Sequence, residues 1–391
     1  MGQHHLRRPL SAQRRAVGMF GAGRLHSADR YRGSVDGPGI PCPFRGREMT
    51  IRASATLENS MPNVPIDAGS DVLLSARELV IRAGSLPIVD SVSFTVAQGE
   101  RLGIVGETGS GKSITCRAVL GALRRKGMTA SGELHYRDKN LLALDDRQWR
   151  QIRGREIGFI PQSSLNSLNP VMRVGQQLIE TVRLFGVAKN DAPQRAEELM
   201  AAVQMPDPKG VLAKYPHELS GGMRQRVMIA LGIAGEPRLL VADEPTTALD
   251  VTVQRRLLEL LTGLCESTGM ALILVTHDLG VVSDVCDSVL VMYAGQAMET
   301  GSTESLFGRS RHPYTAALVQ ARPSMADAAD FRLRGLPGRP PAVGAWPPGC
   351  RFAGRCQFST DQCTGEPPAI VEVEPGHHVR CVLHYEEGID A

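Results

Sequence analysis

The chain has 391 residues, 42% of them hydrophobic, enough for one large domain with appendages and a sizeable core. Lys and Arg number 44 against 41 Asp and Glu, and a net charge of +3 gives no strongly basic face of the kind a nucleic-acid partner requires. No apolar run approaches the roughly 18 residues needed to cross a bilayer. The longest, such as "ALILV" at 271–275, suit buried strands of a parallel sheet.

The first 48 residues hold nine Arg and three acids (Asp29, Asp36, Glu48), with scattered Gly and Pro and no sustained period. This composition predicts a disordered arm, extending to about residue 70. It lacks the continuous apolar core of a secretion signal; it shares an Arg-rich, acid-poor start with organelle transit peptides but has no amphipathic helix. Met49 and Met61 are alternative starts.

From about Asp71 the texture changes. "LLSARELVI" and "VDSVSFTV" predict two strands, "ERLGIVG" a third, and "TGSGKSITCRAVLGAL" a glycine loop running into an amphipathic helix. The stretch from about 163 to 235 loses its β character and predicts helices broken at Pro170, Pro193, Pro206, Pro208 and Pro216. "RLLVAD" and "ALILVTH" restore buried strands, separated by a helix near Val251–Glu266. The alternation predicts an α/β core with a helical insertion.

"GETGSGKS", Gly106–Ser113, fits the phosphate-binding loop directly after an apolar strand and before a helix. Its glycines allow the backbone N–H groups of Gly106, Glu107, Thr108, Gly109, Ser110 and Gly111 to converge on phosphate oxygens. Lys112 would reach the β- and γ-phosphates and Ser113 would bind Mg²⁺. "LLVADEP" ends a second apolar strand in Asp243 and Glu244. One carboxylate there can face the Mg²⁺ shell while the other activates water, although adjacent acids at a strand end are often solvated loop charges.

"LSGGMRQR" at Leu219–Arg226 has the form of a helix N-terminus, capped by Ser220, with Gly221 and Gly222 permitting close approach of an anion. This segment resembles the signature motif of ATP-binding cassette (ABC) ATPases. Gln162 in "GFIPQ", Asp250 ending "TALD" and His277 in "LVTHD" fall in that family's order. The resemblance implies an ABC-type nucleotide-binding domain of α/β class, with an antiparallel β subdomain and a helical subdomain at about 163–235. It implies two cassettes sandwiching two nucleotides, Ser220, Gly221 and Gly222 facing the γ-phosphate held by the partner's loop. Gln162 would complete the metal shell, Asp243 orient Mg²⁺ through water, Glu244 serve as general base, His277 contact the γ-phosphate, and Asp250 lie across the dimer interface. One departure stands out: where the family offers an aromatic ring to adenine, "ELVIRAGSLP" has Ala83, which predicts weak discrimination between ATP and GTP.

Beyond the cassette, "RHPYTAAL" (311–318), "LRGLPGRPPAV" and "PPGCRFAGRC" resemble the C-terminal extension of oligopeptide and dipeptide permease ATP-binding subunits. Residues alone predict proline turns, a helix starting at "HPYT" and an irregular tail. The organisation expected is an arm at 1–70, the ATPase domain at 71–310 and the extension at 311–391. Cys116, Cys265 and Cys286 lie in helix or strand patterns as small buried hydrophobes, and Cys42 sits in the arm. Cys350, Cys356, Cys363 and Cys381 cluster in the tail and predict a metal site, since a cytosolic ATPase is kept reduced. Their spacing lacks the C-x₂-C knuckles of structural zinc, and His377, His378 and His384 are candidate substitute ligands. Sequence chemistry leaves zinc and iron–sulfur open; the resemblance implies a [4Fe–4S] cluster that fixes the tail, with a redox sensor as an alternative.

The resemblance thus implies the ATPase subunit of an importer of di- and oligopeptides, peripheral on the cytoplasmic face of the membrane. It would work with a second ATPase subunit in a heterodimer rather than a homodimer, two membrane-spanning permease subunits and an extracytoplasmic solute-binding protein, without nucleic acid. Nickel or another small solute is an alternative cargo. A soluble mechanical ABC ATPase, which would show tandem cassettes or a long coiled coil, is a more distant alternative.

Overall fold

The computed structural model of the chain describes residues 71–123, 127–162, 167–247, 249–321 and 336–385. The arm at 1–70 and part of the proline-rich linker after 321 lie outside the described residues. The described chain opens with a hairpin of β1 (Val72–Ala83) and β2 (Leu86–Ala97). β3 (Arg101–Val105) leads into α1 (Lys112–Val119), and β4 (Met128–Tyr136) and β5 (Lys139–Asn140) complete a four-stranded antiparallel sheet in the order β2-β1-β4-β5. β4 and β5 answer to no segment marked in the sequence. Glycine, glutamate and lysine dilute their pattern, and pairing with β1 supplies what propensity does not.

α2 (Asp146–Ile152) starts at a capping box in which Asp145 and Gln148 satisfy each other's backbone N–H groups. β6 (Ile157–Ile160) follows, and then the helical layer: α3 (Val174–Leu184), α4 (Ala192–Ala202), α5 (Pro208–Leu212) and α6 (Gly221–Ile233). Three of the sequence's proline breaks fall at its joints, Pro193 and Pro208 in the first turns of α4 and α5 and Pro216 in a short 3₁₀ turn before α6.

β7 (Leu239–Asp243), α7 (Val251–Thr268), β8 (Ala271–Val275), α8 (Leu279–Val285), β9 (Ser288–Tyr293) and β10 (Gln296–Ser302) build the central sheet. Every residue of β7 and β8 is buried, as strands covered on both faces must be. The pleat divides them between two cores. Leu272 and Leu274 face the helical layer, whereas Ala271, Ile273 and Val275 face the antiparallel sheet and α1. Each buried aliphatic side chain contributes about 1.5–3 kcal/mol before the entropy of ordering is subtracted.

α9 (Thr303–Gly308) and α10 (Pro313–Gln320) follow, and β11 (Val371–Glu374) and β12 (His377–Val379) close the chain's regular structure. The large sheet runs β11-β12-β10-β9-β3-β8-β7-β6, parallel from β9 to β6 and antiparallel beyond. The tail is therefore less irregular than its sequence predicts. β12 adds to the edge of β10, with Glu299 opposite Val379 and Thr300 opposite His378, so a non-local edge recruits a segment of three residues too short to announce itself. Among the described residues no helix is long and apolar enough to cross a membrane.

Candidate functional site

The glycine loop lies between the end of β3 and α1, at the C-terminal edge of the parallel strands, where α/β sheets bind ligands. Gly106 has φ 145°, and a Cβ there would lie 2.0 Å from the Met292 carbonyl oxygen on β9, so no side chain fits. Gly111 caps α1 in the left-handed region, leaving the first backbone N–H groups of the helix free of a side-chain cap. Lys112 is buried and donates from Nζ to the carbonyls of Gly106 (2.6 Å) and Glu107 (3.0 Å). Burial draws its pKa down, against the pull of Glu244 and Asp243. The Ser110 hydroxyl is buried inside the loop with no partner among the described residues, the kind of orphaned polar atom that a bound anion satisfies.

β7 delivers Asp243 beside this loop. Ser113 Oγ donates to Asp243 Oδ1 at 2.9 Å, joining two hard oxygen ligands of the type Mg²⁺ takes. Burial raises the Asp243 pKa, an effect offset in part by the Ser113 hydrogen bond. Glu244 stands just past the strand at φ 47°, a left-handed backbone that non-glycine residues adopt at a cost of order 1–3 kcal/mol. Its N–H donates to Val275 O at 2.9 Å, which fixes the turn.

Three side chains gather on the Glu244 carboxylate. Gln162 Nε2 and Thr247 Oγ1 each donate to Oε2 at 2.9 Å, and His277 Nδ1 lies 3.6 Å from Oε1. The structure thus brings together Gln162, Glu244 and His277, and beside them Lys112, Ser113 and Asp243. Thr247 was missed in the sequence; lying three residues after Glu244 in "EPTT", it is signalled only by the turn that folds it back.

Ser220, Gly221, Gly222 and Asp250 are assembled elsewhere. Ser220 caps α6 by accepting from Met223 N, and Asp250 caps α7 by accepting from Val253 N at 2.9 Å. The two helix starts pack together, since a Cβ on Gly222 would come within 2.8 Å of Val253 Cγ1 and one on Gly221 within 3.5 Å of Leu249 Cδ2. Ser220, Asp250 and the adjoining Val251 are exposed.

Ala83 stands at the β1–β2 turn, and the hairpin from Arg82 to Leu86 carries no ring. An aromatic does approach from the far end of the chain. The Trp346 ring lies within 2.9 Å of where a Gly295 Cβ would be, close to the Ile88 carbonyl, and Arg351 stacks on it at 3.6 Å.

In the tail, Cys350, Cys356, Cys363 and Cys381 are free thiols lining one cavity of about 10 Å³, walled by Phe352, Phe358 and Pro368 among others. That volume admits about one water. Burial raises the pKa of Cys350, that of Cys356 to about 11 and that of Cys381 to about 12. Among the described residues, no three His, Cys, Asp or Glu converge as ligands of one ion do. The histidines do not serve as substitutes: His377 bonds Ser305 and Glu299, and His384 bonds the Arg311 carbonyl. His378 Nε2 lies 4.0 Å from Glu372 Oε1. His312, unmarked in the sequence, lines the cavity instead, its pKa pushed down to about 4 by burial. Cys116, Cys265 and Cys286 are buried.

The sequence profile of ABC transporters matches residues 89–247, and that of the oligopeptide/dipeptide transporter C-terminal region matches residues 298–363. Over 334 residues the chain is 45% identical to a putative peptide import ATP-binding protein of Brucella abortus, spanning 85% of this chain and 97% of that one. It is 43% identical over 318 residues to the dipeptide transport ATP-binding protein DppD of Escherichia coli (80% and 96%). It is 42% identical over 307 residues to the oligopeptide transport ATP-binding protein AppD of Bacillus subtilis (78% and 93%). Among solved structures, cbiO1 of Clostridium perfringens, part of the ABC transporter complex cbiONQ, shares the fold with a TM-score of 0.55 at 24% identity, over 61% of this chain and 92% of that one. A dimeric ATP-binding cassette in a post-hydrolysis state, bound to ADP and Pi, gives 0.53 at 24% identity, over 59% and 98%.

Proposed function

The chain belongs to the ATP-binding proteins of ABC-type peptide transporters, and from that premise we propose that it is the ATP-hydrolysing subunit of an importer of di- and oligopeptides. The observation that carries the reading is the Glu244 carboxylate, held by Gln162, Thr247 and His277 beside the Ser113–Asp243 pair at the foot of a phosphate loop. Glu244 takes a proton from water as the water oxygen attacks the γ-phosphorus. The bond from that phosphorus to the bridging oxygen breaks, giving ADP and phosphate. Lys112 and the N–H groups from Gly106 to Gly111 would hold the phosphates; Ser113, Asp243 and Gln162 would be the oxygen ligands and positioners for Mg²⁺, which supplies charge neutralisation when bound. His277, exposed and loosely held, is free to reach the γ-phosphate.

Exposed Ser220 and Asp250, with half-buried Gly221 and Gly222, form a patch at two helix N-termini, which supports a role toward nucleotide on a second ATPase subunit, a different chain by family resemblance. Two permease subunits and a solute-binding protein complete the importer, with this chain peripheral on the cytoplasmic face. The tail gathers four thiols on one cavity that His312 also lines, and it is the family resemblance, rather than any convergence of ligands, that supports a [4Fe–4S] cluster there over zinc. A [4Fe–4S] cluster there would tie the tail together and supply no step of hydrolysis.

Two experiments test this. The chain assembled with its permease subunits and solute-binding protein should support ATP-dependent uptake of labelled dipeptide into vesicles, and uptake of nickel but not peptide would overturn the substrate class. Protein purified without oxygen should carry about four irons and four sulfides, lost on Cys350→Ser with Cys356→Ser; one zinc and no iron would overturn the cluster.

A further inference from the structure

The second residue of the phosphate loop is held from outside the cassette. Arg355 forks onto Glu107, Nη1 donating to Oε2 at 2.7 Å and Nη2 to Oε1 at 3.0 Å, across 248 positions of sequence. The guanidinium is itself fixed, since Nε donates to the Pro337 carbonyl at 2.8 Å and Nη1 to the Tyr293 hydroxyl at 3.1 Å. Its side chain is 8% exposed, and Glu107 26%. The backbone of Glu107 is held as well: its N–H donates to the Tyr314 hydroxyl at 3.0 Å, and its carbonyl accepts from Lys112. Beneath this contact Tyr293, Tyr314 and Phe352 form a cluster with ring centroids 4.7–5.4 Å apart. Phe352 and Cys356, the latter adjacent to Arg355, also wall the four-thiol cavity.

A carboxylate in a phosphate loop faces a difficulty that neutral loop residues do not. Placed beside a polyanionic nucleotide, it repels what the loop must bind. A bidentate guanidinium removes that repulsion and fixes the carboxylate's direction, which a lysine's point charge does less well.

We propose that Arg355 is a positioning residue for the phosphate loop: by clamping and neutralising Glu107 it couples the cysteine-bearing tail to nucleotide affinity. The proposal rests on the loop being the ATP site. Because coupling is reciprocal, whatever loosens the segment from Cys350 to Cys356 weakens ATP binding, and bound ATP steadies that segment.

The test is equilibrium binding of ATP to the full chain, together with KM and kcat in the assembled transporter. The variants are Arg355→Ala, Arg355→Lys, Glu107→Gln and the Arg355→Ala/Glu107→Gln double, with Lys112→Ala as the control for the site. Arg355→Ala should raise the Kd and KM for ATP by about tenfold or more, with kcat at saturation changed by less than about threefold. Arg355→Lys should fall between, and the double variant should bind no more weakly than Arg355→Ala, because the clamp has one effect to lose. Wild-type Kd in Arg355→Ala and Arg355→Lys, or losses that add in the double variant, would overturn the proposal. A lowered melting temperature with unchanged affinity of the folded fraction would also overturn it, by reducing Arg355 to a structural tie. If Lys112→Ala binds ATP as the wild type does, the assignment of the site fails first, and the proposal with it.

Discussion

Replacing Glu244 by Gln removes one thing and keeps the rest. Among the described residues, Gln162 and Thr247 converge on a single oxygen at 2.9 Å, and His277 lies 3.6 Å from the other. A glutamine can keep its carbonyl oxygen under the two donors and turn its amide toward His277, so the ground-state network survives and only the base is lost. General-base catalysis contributes about 10²–10⁴-fold, which at 1.36 kcal/mol per decade is about 3–5 kcal/mol of the barrier. The assay is single-turnover release of phosphate from Mg-ATP by the assembled transporter, alongside ATP retained on the protein. The expected result is a fall of that size in the rate, with ATP affinity held and nucleotide trapped on the complex. Hydrolysis within about tenfold of wild type would refute the assignment, since a residue so connected cannot be the base and be dispensable.

Asp243→Asn should stabilise the nucleotide-free chain while lowering Mg²⁺-dependent turnover on the order of 10–100-fold. The sign follows from burial, which raises the folded-state pKa of Asp243 above its unfolded value. Folded protein then binds more protons than unfolded in the window just above the ordinary carboxylate range, so this contribution to stability falls as pH rises through it. Melting curves between acidic and neutral pH should show that slope in the wild type and lose it in the variant; a lower melting temperature in the variant at neutral pH would contradict the account. Gly106→Ala forces a Cβ into the Met292 carbonyl and should cost about 2–4 kcal/mol along with nucleotide binding, and an unchanged melting temperature would show that β9 yields more easily than its packing implies. GTP should be hydrolysed nearly as well as ATP, because the hairpin at Ala83 offers no ring. Stacking is worth about 1–3 kcal/mol, so a preference for ATP above about a hundredfold would mean that another group, with Trp346 the nearest aromatic, reads the base.

The cassette was legible because its chemistry is local. A glycine loop between strand and helix, an acidic pair ending an apolar strand and a capped helix start each occupy fewer than ten consecutive residues, and the backbone places them without help from afar. Thr247 and Trp346 were not legible, since each matters through a turn or an approach that leaves no period in the sequence. The tail defeated pattern reading more thoroughly. β12 has three residues, too few for alternation to register, and it forms because the edge of β10 is there to receive it. The three tail histidines suggested metal ligands by type alone, yet packing commits His377 to Ser305 and Glu299 and His384 to a backbone carbonyl. Nothing in the sequence marks Arg355, whose partner Glu107 lies 248 positions away.

A single buried acid shows why the tail cannot be regarded as an appendage. Glu299, on β10 and 1% exposed, accepts from the backbone N–H groups of Arg311 at 2.7 Å and His312 at 2.9 Å, and pairs with His377 Nε2 at 2.8 Å. Burying a carboxylate is costly unless each oxygen is satisfied, and here the donors come from the start of α10 on one side and from β12 on the other. That one side chain therefore sets α10, whose Tyr314 reaches the Glu107 N–H, and anchors the strand that runs directly into Cys381. From Glu299 outward, the helix that supports the phosphate loop and the strand that leads to Cys381 are tied to one buried carboxylate.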